Sequence, residues 1–117
     1  MFDYTILSSQ PPAALPPKPT LPLLLQFPTV TGRINIIKEI GTHYEMLGIL
    51  LLNDKTGETI ATITNDCQRK ALDINRVVLT RWIQGQGKQP VTWDTLVEVL
   101  NSIDLCELAR TIDNTLH

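Results

Sequence analysis

Apolar residues recur at three- and four-residue spacing along most of the chain beyond residue 35, and that period predicts helices with one buried stripe each. Ile36, Ile37, Ile40, Tyr44, Leu47, Leu50 and Leu51 form the first series. Gly41 interrupts it, and Thr42 to Glu45 (THYE) has capping-box spacing, so the series reads as two helices meeting at a bend. Asn53-Asp54-Lys55-Thr56-Gly57 is a turn. Glu58 to Ile63 reads as a short helix facing in through Ile60 and Ile63, although its threonines equally suit a strand. Asn65 to Gln68 (NDCQ) repeats capping-box spacing and is expected to open a long helix that carries Ala71, Ile74, Val78 and Trp82 inward and ends at Ile83. Trp93 to Ser102 gives the next helix. Asp104 to Glu107 (DLCE) is expected to cap the last, whose Leu105, Leu108, Ala109, Ile112 and Leu116 form the cleanest stripe in the chain.

The two tryptophans flank one short turn, Gln84 to Gln89. Gly85 and Gly87 are expected to stop the long helix, because glycine enters the left-handed helix end without steric cost. Pro90 forbids its continuation. Thr92 is placed to cap the next helix, and Asp94 suits the positive end of that helix dipole. The stretch from Leu79 to Leu100 therefore predicts a helical hairpin clamped by Trp82 and Trp93, both core residues. Short turns between helices imply antiparallel neighbours in an all-α bundle.

The region ahead of this pattern differs in kind. Seven of the eight prolines fall within residues 1–28, which predicts an extended arm or linker over Gln10 to Thr20 and a globular domain over residues 29–117. Leu21 to Phe27 is too apolar for a free linker and is expected to lie on the domain as an ordered lead-in or short helix, whereas Thr29 to Asn35 reads as a loop. Pro16, Pro19 and Pro22 have PxxP spacing, but Lys18 does not stand where SH3 ligands carry their basic residue, so the arm reads as a linker and not as an SH3 ligand. Tyr4 to Leu7 matches the loose YxxL pattern, which arises easily by chance.

Composition narrows the function classes. With 43% hydrophobic and 19% charged residues, the chain is an ordinary soluble domain able to bury a core. A formal charge of −2 lacks the concentrated basic surface of a nucleic-acid binder. No run approaches the roughly 20 apolar residues of a membrane span. Cys67 and Cys106 have no metal-spaced partners, and both read as small packing residues near helix starts, with the dipole of the last helix able to activate Cys106. A reducing, cytoplasmic setting follows as the expectation, with no cofactor and no metal.

Catalysis has little to stand on. His43 falls inside the THYE segment and reads as solvated; His117 is terminal. Ser8, Ser9 and Ser102 lack a nucleophile-elbow context. Gly85-Gln86-Gly87-Lys88 has neither the preceding strand nor the following Ser or Thr of a phosphate-binding loop.

In order, the pieces form a recognisable set. They are I-G-x-x-Y-x-x-L-G-x-x-L (Ile40 to Leu51), a short helix ending in isoleucine (Ile60, Ile63), and a long helix ending L-x-x-W (Leu79, Trp82). Then come P-V-T-W-x-x-L-V-x-V-L (Pro90 to Leu100) and L-x-x-L-A-x-x-I (Leu105 to Ile112). Over Ile36 to Leu116, about two thirds of the chain, this resembles the death domain family of the death-fold superfamily, and the W-x-x-G-x-G-x-x-P-V-T-W string is similar to death domains of invertebrate signalling proteins. The resemblance implies a six-helix antiparallel death-fold bundle. It departs from the family at Tyr44, where death domains commonly carry tryptophan, and at the poorly defined first helix.

The resemblance also implies a non-catalytic, homotypic protein-protein interaction module that assembles into oligomers in apoptotic or innate-immune signalling. Charge placement agrees. The long helix groups Arg69, Lys70, Arg76 and Arg81 into an expected basic face, and the last two helices offer Asp94, Glu98, Glu107 and Asp113 as an acidic one. Two such faces on one molecule permit head-to-tail pairing with like domains. The rival reading is a helix-turn-helix DNA-binding domain with Thr92 to Leu100 as recognition helix, but Asp94 and Glu98 would repel phosphate there.

Overall fold

In the computed structural model the described residues are 18–87 and 89–116. The arm over Gln10 to Pro17, the YxxL match, Lys88 and His117 lie outside them. Chain order is α1 (Leu21–Leu25), β1 (Phe27–Thr29), β2 (Gly32–Ile34), α2 (Ile36–Ile40), α3 (Tyr44–Leu51), α4 (Glu58–Asp66), α5 (Ala71–Ile83), α6 (Trp93–Ser102) and α7 (Cys106–Leu116). The described residues are mostly helical, with one antiparallel hairpin among them in which Phe27 pairs with Ile34 and Thr29 with Gly32. The described residues hold seven helices where the resemblance implies six, because the chain ahead of Tyr44 forms two five-residue helices around that hairpin.

The N-terminal expectation needs correction at one point. Leu21 to Leu25 is the anticipated short helix, but Thr29 to Asn35 is no simple loop: it carries β2 and part of the hairpin. Leu24 and Phe27, on the arm side of the 28/29 boundary, are fully buried in the common core. Phe27 stacks on Trp93, with ring centroids 5.1 Å apart and planes tilted by 51°. A β-strand that alternates sides gives Phe27 to the core and Pro28 to solvent.

α5 lies at the centre. It packs on α3, α2 and α4, while α6 packs chiefly on α7 and secondarily on α3. The expected clamp between α5 and α6 is therefore replaced by packing of each helix on other neighbours. Trp82 and Trp93 are both buried as their spacing predicts, but among the described residues the one aromatic stack is Phe27 with Trp93. The core is otherwise aliphatic, with Ile36, Ile37, Ile40, Leu47, Leu51, Ile74, Leu79 and Leu96 sealed from solvent.

Helix ends show which local signals operate. Thr92 caps α6 as expected, its hydroxyl accepting the Thr95 amide at 3.1 Å. The three capping boxes do not form. His43, not Thr42, is the N-cap of α3 and makes no side-chain cap. Asn65 and Asp66 lie inside α4, which runs past Ile63; Gln68 and Arg69 turn the chain with positive φ, and α5 opens at Ala71 with Lys70 as an uncapped N-cap. Asp104 takes a φ of 66° and closes α6, the Leu105 amide reaching back to the Leu100 carbonyl at 2.9 Å. One cap is supplied from outside its helix. The buried Asp54 carboxylate accepts the Ile60 amide at 3.0 Å in the first turn of α4.

Candidate interaction surface

The basic residues come from two kinds of backbone. Arg69 and Lys70 sit in the turn between α4 and α5, and Arg76 and Arg81 on α5 itself. At about 100° per helical residue, Arg76 and Arg81 lie roughly 140° apart around α5, one on each border of its buried stripe. Arg76 bonds Asp73 at 3.4 Å, one turn back. Arg81 lies on the side of Cys67: burial pushes the Cys67 thiol up, Asp73 and Asp66 add to the rise, and the Arg81 charge opposes it. The single basic face expected along the long helix thus divides into an Arg76 edge and an Arg81 edge, with Arg69 and Lys70 at the helix start.

The acidic residues are better aligned. Asp94 and Glu98 are four apart on α6, both exposed, and share one stripe. On α7, Glu107 and Asp113 are exposed with Arg110 between them at three-residue spacing, so this helix alternates sign instead of presenting a uniform acidic face. Arg110 and Asp113 line a shallow groove of about 350 Å³ between α6 and α7, with Val97, Asn101, Cys106 and Ala109. Cys106 is exposed, its thiol 3.9 Å from the Asn101 carbonyl, and Cys67 is half-buried at the C-terminal end of α4. Cys106 stands at a helix start as expected but is exposed and not packed, whereas Cys67 packs against the core as expected but at a helix end.

A second groove, about 560 Å³, runs between α3 and α4. Tyr44, Ile49, Ile60 and Ala61 give it apolar surface; Glu45, Lys55 and Arg69 bring charge to its edges. The two helices approach closely here: a Cβ built on Gly48 would meet the Ile60 side chain at 2.7 Å. Lys55, in the turn ahead of α4, was not singled out by its sequence context, because a lone lysine in a turn carries no signal until the fold brings a groove beside it.

His43 is exposed, and its Nδ1 lies 3.1 Å from the Ile40 carbonyl oxygen, so the ring N–H serves the end of α2. Among the described residues no group of three or more His, Cys, Asp or Glu is placed to hold a metal ion, and no helix is long and apolar enough to cross a membrane. Comparison with family models, with curated proteins and with solved structures gives no match.

Proposed function

We propose that this chain is a non-catalytic interaction module that associates with copies of itself or with like helical domains through surfaces of opposite charge. We read the bundle as a death fold, with assembly in apoptotic or innate-immune signalling as its setting. What supports the reading is the separation of charge along the chain. Residues 66–88 hold five cations against two carboxylates, and residues 93–116 hold five carboxylates against one cation. Asp94, Glu98 and Glu107 are exposed, and their carboxylates make no hydrogen bond or ion pair among the described residues. Attraction between such surfaces steers like molecules together and weakens as salt screens it.

Single charge reversals test the proposal. Arg76→Glu and Glu98→Arg should each weaken association, measured by light scattering at low salt, while leaving the far-ultraviolet circular dichroism unchanged. Association of both variants at the wild-type level would count against it. The helix-turn-helix alternative makes α6 the reading helix, yet its exposed stripe carries Asp94 and Glu98 and no cation. Retardation of mixed-sequence DNA by the protein at low salt would favour that alternative.

A further inference from the structure

The groove between α3 and α4 has a built character that the edges of α5 lack. Its floor is apolar, formed by Ile49, Ile60 and the exposed methyl of Ala61. Its two cations stand at opposite ends of α4, since Lys55 precedes the first turn of that helix and Arg69 follows its last, and they outnumber the one carboxylate of the lining, Glu45 on α3. Both are exposed, and neither side chain has a hydrogen bond or ion pair among the described residues. A trough of this kind suits a helix that presents carboxylates beside a small apolar side chain. The same molecule carries one. Asp94, Val97, Glu98 and Asn101 follow i, i+3, i+4, i+7 on α6, with both carboxylates exposed and Val97 half-buried beside them.

We propose that the α3–α4 groove receives the α6 face bearing Asp94 and Glu98 of a second copy of this chain, with Lys55 and Arg69 pairing with the two carboxylates. This rests on the self-association proposed above, and it moves the basic half of the contact from the divided edges of α5 to the groove. The occupant is set by charge. A like-charged helix would leave Lys55 and Arg69 unpaired over a covered apolar floor, and an uncharged one would desolvate them without return.

Two variants of the 117-residue chain test it. Lys55→Glu with Arg69→Glu makes the groove acidic while leaving α6 acidic; Asp94→Lys with Glu98→Lys makes α6 basic while leaving the groove basic. Each variant alone should repel itself, raising the apparent dissociation constant in sedimentation velocity at low salt by about tenfold or more. An equal mixture restores opposite signs at the contact and should return to within about threefold of the wild type. Ala61→Trp, an exposed site on the groove floor, should abolish association at low salt by filling the space, and circular dichroism checks that each variant keeps its helices. A mixture that stays monomeric, or an Ala61→Trp protein that associates as the wild type does, overturns the groove. If the wild type associates, the groove reversal has no effect and Arg76→Glu abolishes association, the groove falls and self-association stands. A wild type that is monomeric at low salt overturns both.

Discussion

Trp93 joins the two ends of the described chain, because its ring packs on Phe27 of the N-terminal hairpin while its own helix packs on α7. Trp93→Ala should therefore cost about 3 to 5 kcal/mol in chemical denaturation, and Phe27→Ala a comparable amount. A loss below about 1 kcal/mol for both would contradict the packing described. Helical spacing made both tryptophans legible as core, since each falls on a stripe of aliphatic residues. Asn75 was not legible. It is fully buried and donates through Nδ2 to the Ile37 and Gly41 carbonyls at 3.2 and 2.8 Å, tying the end of α2 to α5. Those partners are 38 and 34 residues away, and no local pattern reports them. The cysteines diverge as well. At neutral pH Cys106 should be alkylated before Cys67, as followed by mass spectrometry, because Cys106 is exposed while Cys67 is half-buried and burial pushes its thiol up, lowering its thiolate fraction. Equal rates would contradict this. As pH rises above the ordinary thiol value of about 8.5, the unfolded chain loses the Cys67 proton before the folded one does. Its contribution to stability is full below that pH and declines above it, a decline that Cys67→Ala removes.

Helix positions read from apolar spacing agree closely with the fold, while the ends read from capping motifs agree less well. The difference is physical: burying a stripe engages a whole helix, whereas a cap is one hydrogen bond that a neighbouring turn can supply another way. Thr92 forms its cap because the extended backbone at that position aims the hydroxyl at the Thr95 amide. Thr92→Ala should cost about 1 kcal/mol of stability. At α4 the cap comes from Asp54, six residues before the amide it accepts, a spacing outside any capping box. The glycines of the α5–α6 turn also separate by role. Gly85, at a φ of 86°, ends α5 in the expected manner. Gly87 instead presses against the end of α3, where a Cβ would meet the Leu51 carbonyl oxygen. Gly87→Ala should lower the melting temperature more than Gly32→Ala, whose φ is 151° but whose site is open. Pro28 and Gly32 hid the hairpin from the sequence: proline argues against a strand, and here it stands at the solvent-facing position of a two-stranded edge.

At the scale of the whole molecule, the sign of each charge was legible and its neighbourhood was not. Sequence order placed most cations ahead of most carboxylates, and in the folded chain Arg76 and Arg81 stand on α5 while Asp94 and Glu98 stand on α6. It could not show that Arg76 and Arg81 lie on opposite borders of α5, that Arg110 interrupts the acids of α7, or that Lys55 and Arg69 share a groove. What persists through the fold is a bundle with a sealed aliphatic core, an excess of cations on α5 and the turn before it, and two exposed carboxylates on α6; the proposed self-association rests on that imbalance. The measurement that tests the proposed association most directly is light scattering of the 117-residue chain at high concentration as salt is raised from low ionic strength. The weight-average mass should exceed that of the 13.1 kDa chain at low salt and fall toward it as salt screens the charges. A mass equal to the single chain throughout would contradict the proposed self-association.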